Sequence, residues 1–249
     1  MALTLHGVTL DLGRRRVLDA VSVSIAPGRV TVILGPNGAG KTSLLRVAAG
    51  LVRAEGSVAI DGVEVAAVPR DERARAIGYL PQQGDVAWNM VARDVVALGR
   101  LPHRNAGDEA AIAAALAATD TGALAVRRVG ELSGGERARV LLARVLAGEP
   151  RWLLADEPLA SLDPAHQLDL LDRLRAVARA GAGVVTVLHD VAQAARVADD
   201  AILMKASRIV AAGPASTVLT PNRLGDLFGV RFAAVPGHPV GIAVERLDR

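Results

Sequence analysis

The N-terminal part of the chain alternates apolar and polar positions as half-buried strands do. Residues 3–10 and 17–25 follow this period-two pattern and contain many β-branched side chains. Residues 29–34 are instead a continuous apolar run, which is typical of a central strand covered on both faces. Residues 56–60 and 63–65 flank an Asp-Gly pair that favours a hairpin turn. The pattern predicts an antiparallel sheet attached to a second, more buried core.

The middle of the chain changes to a helical pattern. A predicted strand at residues 76–80 is followed by three helical candidates, at residues 90–98, 108–118 and 135–146. A strand-like run returns at residues 152–155. These helices are therefore predicted to form an insert that interrupts the sheet.

The C-terminal part alternates helices and strands. The first predicted helix there, residues 164–180, has apolar positions that recur every three residues, namely Leu168, Leu171, Leu174 and Val177. The later elements are predicted strands at residues 183–188, 201–205, 208–212 and 241–247 and a predicted helix at residues 191–197. Alternating strands and helices predict an α/β fold with a mostly parallel core sheet.

Composition narrows the class of protein. Of the 249 residues, 29 are Lys or Arg and 26 are Asp or Glu, so the net charge of +3 gives no nucleic-acid signature and no such partner is expected. Cysteine is absent, which excludes disulfides and thiolate metal sites. The longest apolar run, residues 110–118, is shorter than the ~20 residues that a membrane span needs. The basic run Arg14-Arg15-Arg16 has two interpretations, an exposed turn or part of a nucleotide site.

The strongest chemical signal is GPNGAGKT at residues 35–42, directly after the apolar run and before a helical segment. Strand, glycine-rich turn and helix with this spacing form a phosphate-binding P-loop. Glycines let backbone N–H groups converge on phosphate oxygens, and the helix dipole favours the same anion. Lys41 would add a charge at the β- and γ-phosphates, and the Thr42 hydroxyl would ligate Mg²⁺. The predicted ATP-binding residues here are Gly35, Pro36, Asn37, Gly38, Ala39, Gly40, Lys41, Thr42 and Ser43.

A second signal is WLLADEP at residues 152–158, an apolar strand that ends in two acids. The carboxyl edge of an α/β sheet is where ligands bind. Asp156 is predicted to hold Mg²⁺, and Glu157 to orient or deprotonate the attacking water.

A third signal is LSGGE at residues 132–136, directly ahead of a helix. Ser133, Gly134 and Gly135 could form a second anion site with free N–H groups and the helix dipole. The simpler alternative is an ordinary serine helix cap, which the three residues alone favour, whereas the full five-residue string favours the anion site.

Together these residues resemble the ATP-binding subunit of an ABC transporter over nearly the whole chain. The matching motifs in order are GPNGAGKT (Walker A), Gln82 after YLP (Q-loop), LSGGE (signature), LLADEP (Walker B), SLD at residues 161–163 (D-loop) and His189 in VLHD (H-loop). The resemblance implies an α/β fold whose P-loop ATPase core has a mixed sheet, with an antiparallel β subdomain and a helical insert.

The resemblance also implies how the domains are arranged. One ATP-binding domain would span residues 2–237, with its core in about 1–84 and 151–237 and the insert in about 85–150, before a tail at 238–249. The insert would dock on an integral-membrane permease at the cytoplasmic face of the cell membrane, with a substrate-binding protein as an indirect partner.

For the chemistry, the resemblance implies a head-to-tail homodimer that holds two ATP molecules. Each ATP would lie between the Walker A motif of one copy and Ser133, Gly134 and Gly135 of the other. His189 would contact the γ-phosphate and act with Lys41 and Glu157 in catalysis, and Gln82 would join Mg²⁺ to the insert.

This chain departs from the family where adenine is held. The family usually stacks an aromatic residue on the base just before the position of Gly13, and this chain has Leu12 there. Adenine is therefore expected on Leu12 and Val17, with an arginine of the basic run over it. Weaker discrimination between ATP and GTP follows. The signature ends in Glu136 where Gln is commoner, which is not expected to disable the site.

A second resemblance concerns the transported cargo. Residues 80–104 are similar to the region after the Q-loop in ATPases of iron-siderophore, haem and cobalamin importers. His103 in this segment is expected to be a solvated loop residue. The alternatives are an ATPase of an exporter or of another importer, and a soluble ABC ATPase that acts on nucleic acid or ribosomes.

Overall fold

The computed structural model describes residues 2–82, 89–104, 108–160, 162–233 and 242–246. Its strands in these residues are β1 (Leu3–Leu12), β2 (Arg15–Ile25), β3 (Val30–Leu34), β4 (Glu55–Ile60), β5 (Val63–Glu64), β6 (Ile77–Leu80), β7 (Trp152–Asp156), β8 (Gly183–Val187), β9 (Asp200–Lys205), β10 (Arg208–Pro214), β11 (Val230–Ala233) and β12 (Ile242–Arg246). Its α-helices are α1 (Lys41–Ala48), α2 (Arg70–Ala76), α3 (Ala92–Ala97), α4 (Glu109–Ala118), α5 (Gly134–Ala147), α6 (Pro164–Arg179), α7 (Val191–Val197), α8 (Ala215–Val218) and α9 (Pro221–Phe228). Short 3₁₀ segments are Leu98–His103, Gly122–Leu124 and Val129–Glu131.

A six-stranded sheet in the order β10-β9-β3-β8-β7-β6 forms the core. Its neighbours are parallel except β9 and β10, which are antiparallel. Every residue of β3, β7 and β8 is buried, because the sheet is covered on both faces. Strands covered on both faces read as continuous apolar runs. The predicted α/β fold with a mixed, mostly parallel core sheet is confirmed.

The two faces of this sheet belong to two hydrophobic cores. Val30, Val32 and Leu34 of β3 pack with the helices on one face, whereas Ile33 packs with α1 and the second sheet on the other. That second sheet is antiparallel, in the order β2-β1-β4-β5, as predicted. A fully buried Leu or Ile contributes roughly 1.5–3 kcal/mol, so α1, which buries Leu44 and Leu45 here, is firmly fixed between the sheets.

The strand register brings four chain segments to one edge of the core sheet. Ile33 of β3 and Asp156 of β7 both pair with Val187 of β8, and Leu80 of β6 pairs with Ala155 of β7. The carboxyl ends of these parallel strands are therefore neighbours. The segments that leave them carry the P-loop, Gln82, Glu157 and His189, which explains how motifs far apart in sequence meet.

The helices between β6 and β7 pack on one another around a buried cation. The Arg100 side chain is 6 % exposed and donates to Asp108 Oδ2 and Glu149 Oε2, both at 2.7 Å, and to the Ala147 carbonyl at 2.8 Å. A buried charge needs such partners. Arg100 therefore ties the segment after α3 to the start of α4 and the end of α5.

Two expectations on individual elements need correction. His103 is not a solvated loop residue: it is half-buried, and its Nε2 donates to the Gly148 carbonyl at 3.0 Å, because the 3₁₀ segment lies against the end of α5. The apolar stripe of α6 is shifted, since Leu170, Leu171, Leu174 and Ala178 are buried whereas Leu168 is exposed. In addition, the structure contains the helix α2, which the pattern did not predict.

Some predictions fall partly outside the described residues. Residues 83–88 of the segment after the Q-loop and Ser161 of the D-loop lie there, and so do the predicted domain boundaries near residues 84 and 237. The final predicted strand is present as β12, paired antiparallel with β11. No helix in the described part of the chain is long and apolar enough to cross a membrane.

Candidate nucleotide site

The loop between β3 and α1 has the backbone shape of a phosphate cradle. Gly38 and Gly40 have φ of +77° and +99°, values that side chains rarely allow. A Cβ at Gly40 would overlap the Val17 carbonyl oxygen, and one at Gly38 would lie 2.9 Å from Arg15 Nη2. The turn therefore favours glycine at both positions, and the fixed backbone of Val17 also requires it at position 40, whereas the Arg15 side chain beside Gly38 can move.

Lys41 opens α1 and folds back over the loop that precedes it. Its Nζ donates to the carbonyl of Gly35 at 2.8 Å and to that of Pro36 at 3.1 Å. The residue is buried, and this desolvation lowers the pKa of the Lys41 ammonium. The cation is thus held at the cradle by two carbonyl oxygens that a phosphate could replace.

Next to Lys41, Thr42 lies against the acid at the end of β7. Its Oγ1 donates to Asp156 Oδ1 at 3.0 Å, and the phenol of Tyr79 donates to Asp156 Oδ2 at 3.1 Å. Asp156 is 2 % exposed, and burial raises the pKa of its carboxyl above the ordinary value of 3.8. Two hard oxygen donors are therefore adjacent beside the cradle.

Tyr79 is a residue of this site that the sequence reasoning missed. It lies at the end of β6 and also hydrogen-bonds the side chain of Arg46, which raises the pKa of the Arg46 guanidinium. Burial raises the pKa of the Tyr79 phenol. It is the single tyrosine of the chain, and it lies in a predicted strand as an ordinary strand residue would. Only its position three residues before Gln82 could have indicated a role in the site.

The predicted water-activating acid lies between two other predicted residues. Gln82 Nε2 donates to Glu157 Oε2 at 2.6 Å, and His189 Nε2 lies 2.6 Å from Glu157 Oε1. The backbone of Glu157 has φ of +49°, an unusual value for a residue other than glycine. Its side chain is 17 % exposed. The ends of β6, β7 and β8 therefore bring Gln82, Glu157 and His189 into one cluster.

A cavity of about 270 Å³ lies over the cradle. Its walls come from the cradle, from β2 and from the end of β7: Arg15, Val17, Asn37, Gly38, Gly40, Lys41, Thr42, Ser43 and Glu157. Arg15 reaches across from β2, and its Nη2 donates to the Gly38 carbonyl at 3.3 Å. Leu12 is not part of these walls; it pairs with Arg15 in the hairpin and is exposed.

The signature residues Ser133, Gly134 and Gly135 are not part of these walls either. Ser133 caps α5: its Oγ accepts from Glu136 N–H at 3.2 Å, and Glu136 Oε2 accepts from Ser133 N–H at 2.8 Å. This is a capping box, so the simpler interpretation of Ser133 is correct for the single chain. Ser133 and Gly134 are both exposed at the start of the helix.

Fold and site together define a P-loop nucleoside triphosphatase. A family model described as ABC transporter matches residues 18–160, and the chain belongs to that family and is an ATPase of it. The chain is 42 % identical over 250 residues to the hemin import ATP-binding protein HmuV of Pseudomonas entomophila, with 96 % of this chain and 98 % of that protein covered. It is 43 % identical to the protein of the same name from Streptomyces coelicolor, with 94 % and 85 % covered.

Among solved structures, the chain is similar to a dimeric ATP-binding cassette described as a post-hydrolysis state with bound ADP and phosphate. The TM-score is 0.74 and the identity 27 %, with 85 % of this chain and 98 % of that chain covered. The fold is therefore that of an ABC cassette.

Proposed function

We propose that this chain is the ATP-hydrolysing subunit of an ABC importer for haem or a chemically related cargo, an iron chelate or a cobalamin. The observation that carries the proposal is the likeness to hemin import ATP-binding proteins, which extends over 96 % of the chain and so includes the helices between β6 and β7. An exporter or another importer is the alternative. The fold alone does not separate these, because ABC cassettes share it.

ATP would bind with its phosphates in the cradle. The backbone N–H groups of residues 37–43 and the start of α1 favour an anion, and Lys41 would exchange its two carbonyl partners for phosphate oxygens. The walls of the 270 Å³ cavity are consistent with this. Adenine would lie toward Val17 and Leu12, with the Arg15 guanidinium over the base.

Thr42, Asp156 and Gln82 would hold Mg²⁺. The donor set fits a hard cation, since it consists of a hydroxyl, a carboxylate and an amide oxygen. When bound, the ion would neutralise charge on the β- and γ-phosphates. Tyr79 would keep Asp156 oriented, because its phenol occupies the carboxylate oxygen that does not face Thr42.

Glu157 would orient and deprotonate the attacking water. Its carboxylate oxygens contact Gln82 and His189. A water or a phosphate that enters the cluster would replace one of these two side chains as the partner of Glu157. His189 would then be free to contact the γ-phosphate. Lys41 and His189 would stabilise the charge that develops on the phosphoryl group.

Two copies would close head to tail around two ATP molecules. Ser133 and Gly134 lie at the start of α5, outside the walls of the cavity of their own chain, so a second copy could present them to the ATP held there. Closure is then a population shift, in which ATP binds the closed pair better than the open one.

The helices α3 to α5 would dock on a permease at the cytoplasmic face of the membrane and pass the closure on to it. Exposed apolar side chains on this part, Leu101 at 59 % and Val126 at 83 %, suit such a contact. A substrate-binding protein would take part indirectly, and no nucleic acid is expected.

The test is a pull-down of the tagged chain from detergent-solubilised native membranes, with ATPase measured on what is recovered. A co-purifying polytopic permease whose liposome-reconstituted complex hydrolyses ATP faster when haem and a haem-binding protein are present would support the proposal. Recovery with ribosomes or nucleic acid would support the soluble alternative, and a permease complex insensitive to haem, iron chelates and cobalamin would exclude the cargo class.

A further inference from the structure

The second residue of α5, Gly135, is covered by the imidazole of His166. A Cβ at Gly135 would lie 2.5 Å from His166 Cγ and 2.7 Å from Nε2, closer than real Cβ contacts. Gly135 lies inside a helix, where alanine is otherwise favoured over glycine. The side chain of His166, rather than the backbone conformation, therefore requires glycine at this position.

The His166 ring is held in place by the residue that caps its own helix. Asp163 Oδ1 accepts from the His166 N–H at 3.0 Å, and Asp163 Oδ2 lies 2.7 Å from His166 Nδ1. These bonds lower the pKa of the Asp163 carboxyl. Movement of the ring away from Gly135 would disturb the contact with Asp163, so Asp163 helps to hold the contact between α6 and the signature segment.

The same turn of α6 is joined to two catalytic segments. Gln167 Nε2 donates to the Leu162 carbonyl at 3.0 Å, within the segment that follows Glu157. Gln193 of α7, the helix that begins just after His189, donates to Gln167 Oε1 at 2.5 Å. His166 and Gln167 thus connect the signature to the segments that follow Glu157 and His189.

We propose that His166 is a positioning residue that fixes the signature segment of a subunit to the segment after Glu157 of the same subunit. The inference rests on the proposed two-copy site, in which the signature serves the ATP of the other copy and Glu157 serves the ATP of its own. His166 joins these two halves inside one chain. Displacing the ring disturbs the neighbour's ATP site while the chain's own cradle stays intact.

The kinetic test uses Gly135→Ala, His166→Asn and the double variant in the full-length chain. Asn can keep the bond to Asp163 but leaves space over residue 135. Gly135→Ala is expected to lower kcat about 10- to 100-fold, since a displacement of about 1 Å in a site can cost ~100-fold. Binding of a fluorescent ATP analogue to the chain's own cradle, measured at protein concentrations at which the chain is a monomer, stays unchanged. The double variant is expected to recover kcat to within about 3-fold of His166→Asn.

Gly122→Ala is the matched control, because a Cβ there meets no atom within 4 Å, and its kcat should equal that of the wild type. A double variant as inactive as Gly135→Ala would overturn the proposal, because the glycine would then be needed for the approach of nucleotide. A wild-type kcat in Gly135→Ala itself would overturn the proposal as well, because the imidazole of His166 could then move away from residue 135 without any effect on hydrolysis.

Thermal unfolding without nucleotide separates this inference from the proposed function. Gly135→Ala should lower Tm by a few degrees in the wild-type background and leave it unchanged or raise it with Asn at 166. Additive shifts would overturn the contact whatever the kinetics show. A failure of the proposed function has a different signature: ATP then causes no dimerisation of the wild-type sequence, while the Tm shifts remain non-additive.

Discussion

At the residue scale, Glu157 is the side chain whose surroundings fit catalysis best. It follows a strand whose five residues are all buried, it has φ of +49°, and its two carboxylate oxygens are bonded by Gln82 and His189. Unusual backbone conformations persist only where the surroundings enforce them, and they cluster at functional sites. The Glu157 carboxylate is therefore held in one position by Gln82 and His189, and a water molecule or a phosphate group could displace either of them.

Replacing Glu157 with Gln tests this role. The variant should bind ATP as the wild type does but hydrolyse it about 10²- to 10⁴-fold more slowly, the usual contribution of a general base. Single-turnover hydrolysis measures the step directly. Glu64→Gln, an exposed change in β5, serves as the control and should have the wild-type rate. Near-wild-type turnover in Glu157→Gln would refute the assignment.

Lys41 gives a prediction on binding rather than on rate. Lys41→Ala removes a charge-assisted contact to phosphate worth about 1.5–3 kcal/mol, so Kd for ATP should rise roughly 10- to 150-fold. Isothermal titration calorimetry measures the constant. The chain has one other lysine, the exposed Lys205, and Lys205→Ala should leave Kd unchanged. An unaltered affinity in Lys41→Ala would count against the phosphate role.

At the level of secondary structure, the β1–β2 hairpin contains Leu12, which stands where the family usually has an aromatic residue. Leu12 is 55 % exposed at its end, and Arg15 from the facing strand reaches the cradle. An aliphatic side chain and a guanidinium recognise any purine face, so KM values for ATP and GTP should agree within about 3-fold.

Leu12→Tyr should lower KM for ATP about 2- to 12-fold, because an aromatic pair adds about 0.5–1.5 kcal/mol. Val63→Tyr, at a comparably exposed position of the same sheet (56 %), is the matched control and should leave KM unchanged. A wild-type chain that strongly prefers ATP, or a Leu12→Tyr variant with the wild-type KM, would contradict this account of the base site.

The start of α5 gives a prediction on pH. The Ser133 N–H bond lowers the pKa of the Glu136 carboxyl below its ordinary value of 4.5. A group whose pKa is lower in the folded chain adds stability above the unfolded value, and this stability is lost as pH falls through the folded value. The stability advantage of the wild type over Glu136→Ala, measured by urea unfolding, should therefore be full near pH 7 and shrink below about pH 4.5.

A difference in stability between these two chains that is independent of pH would exclude the charge as its source. Glu136→Gln can keep the bond to the Ser133 N–H, so it should retain ATPase within about 2-fold of the wild type. This also tests the expectation that Glu in place of the commoner Gln leaves the signature functional.

The elements that sequence reasoning found and missed differ in one physical respect. The buried strands were predicted from continuous apolar runs, and the helices α5 and α6 from the hydrophobic period that burial of one face imposes. The helix α4 was predicted from its alanine-rich run. The helix α2 has no buried residue, so its sequence RDERARA carries no such period. Arg100 was missed because a charged residue normally indicates an exposed position, whereas here two carboxylates and a carbonyl compensate its burial.

At the scale of the whole molecule, most of the candidate site could be predicted because the P-loop, Gln82, Glu157 and His189 each follow a parallel strand of the core sheet. That arrangement fixes which side chains meet, even though they are up to about 150 residues apart in sequence. The signature residues differ, since they begin the helix α5. Sequence alone does not reveal the contacts that depend on packing between distant elements. These include Tyr79 on Asp156 and His166 over Gly135. The domain boundaries and the roles of the site residues stay predictions.

The proposed closure of two copies of this chain around ATP can be measured by sedimentation velocity of Glu157→Gln. The slow variant should be a monomer without nucleotide and a dimer with ATP and Mg²⁺, and it should return to a monomer when ADP replaces ATP. Glu157→Gln combined with Lys41→Ala is the control and should stay a monomer throughout. A Glu157→Gln chain that binds ATP and stays a monomer at concentrations far above its Kd for ATP would contradict the account.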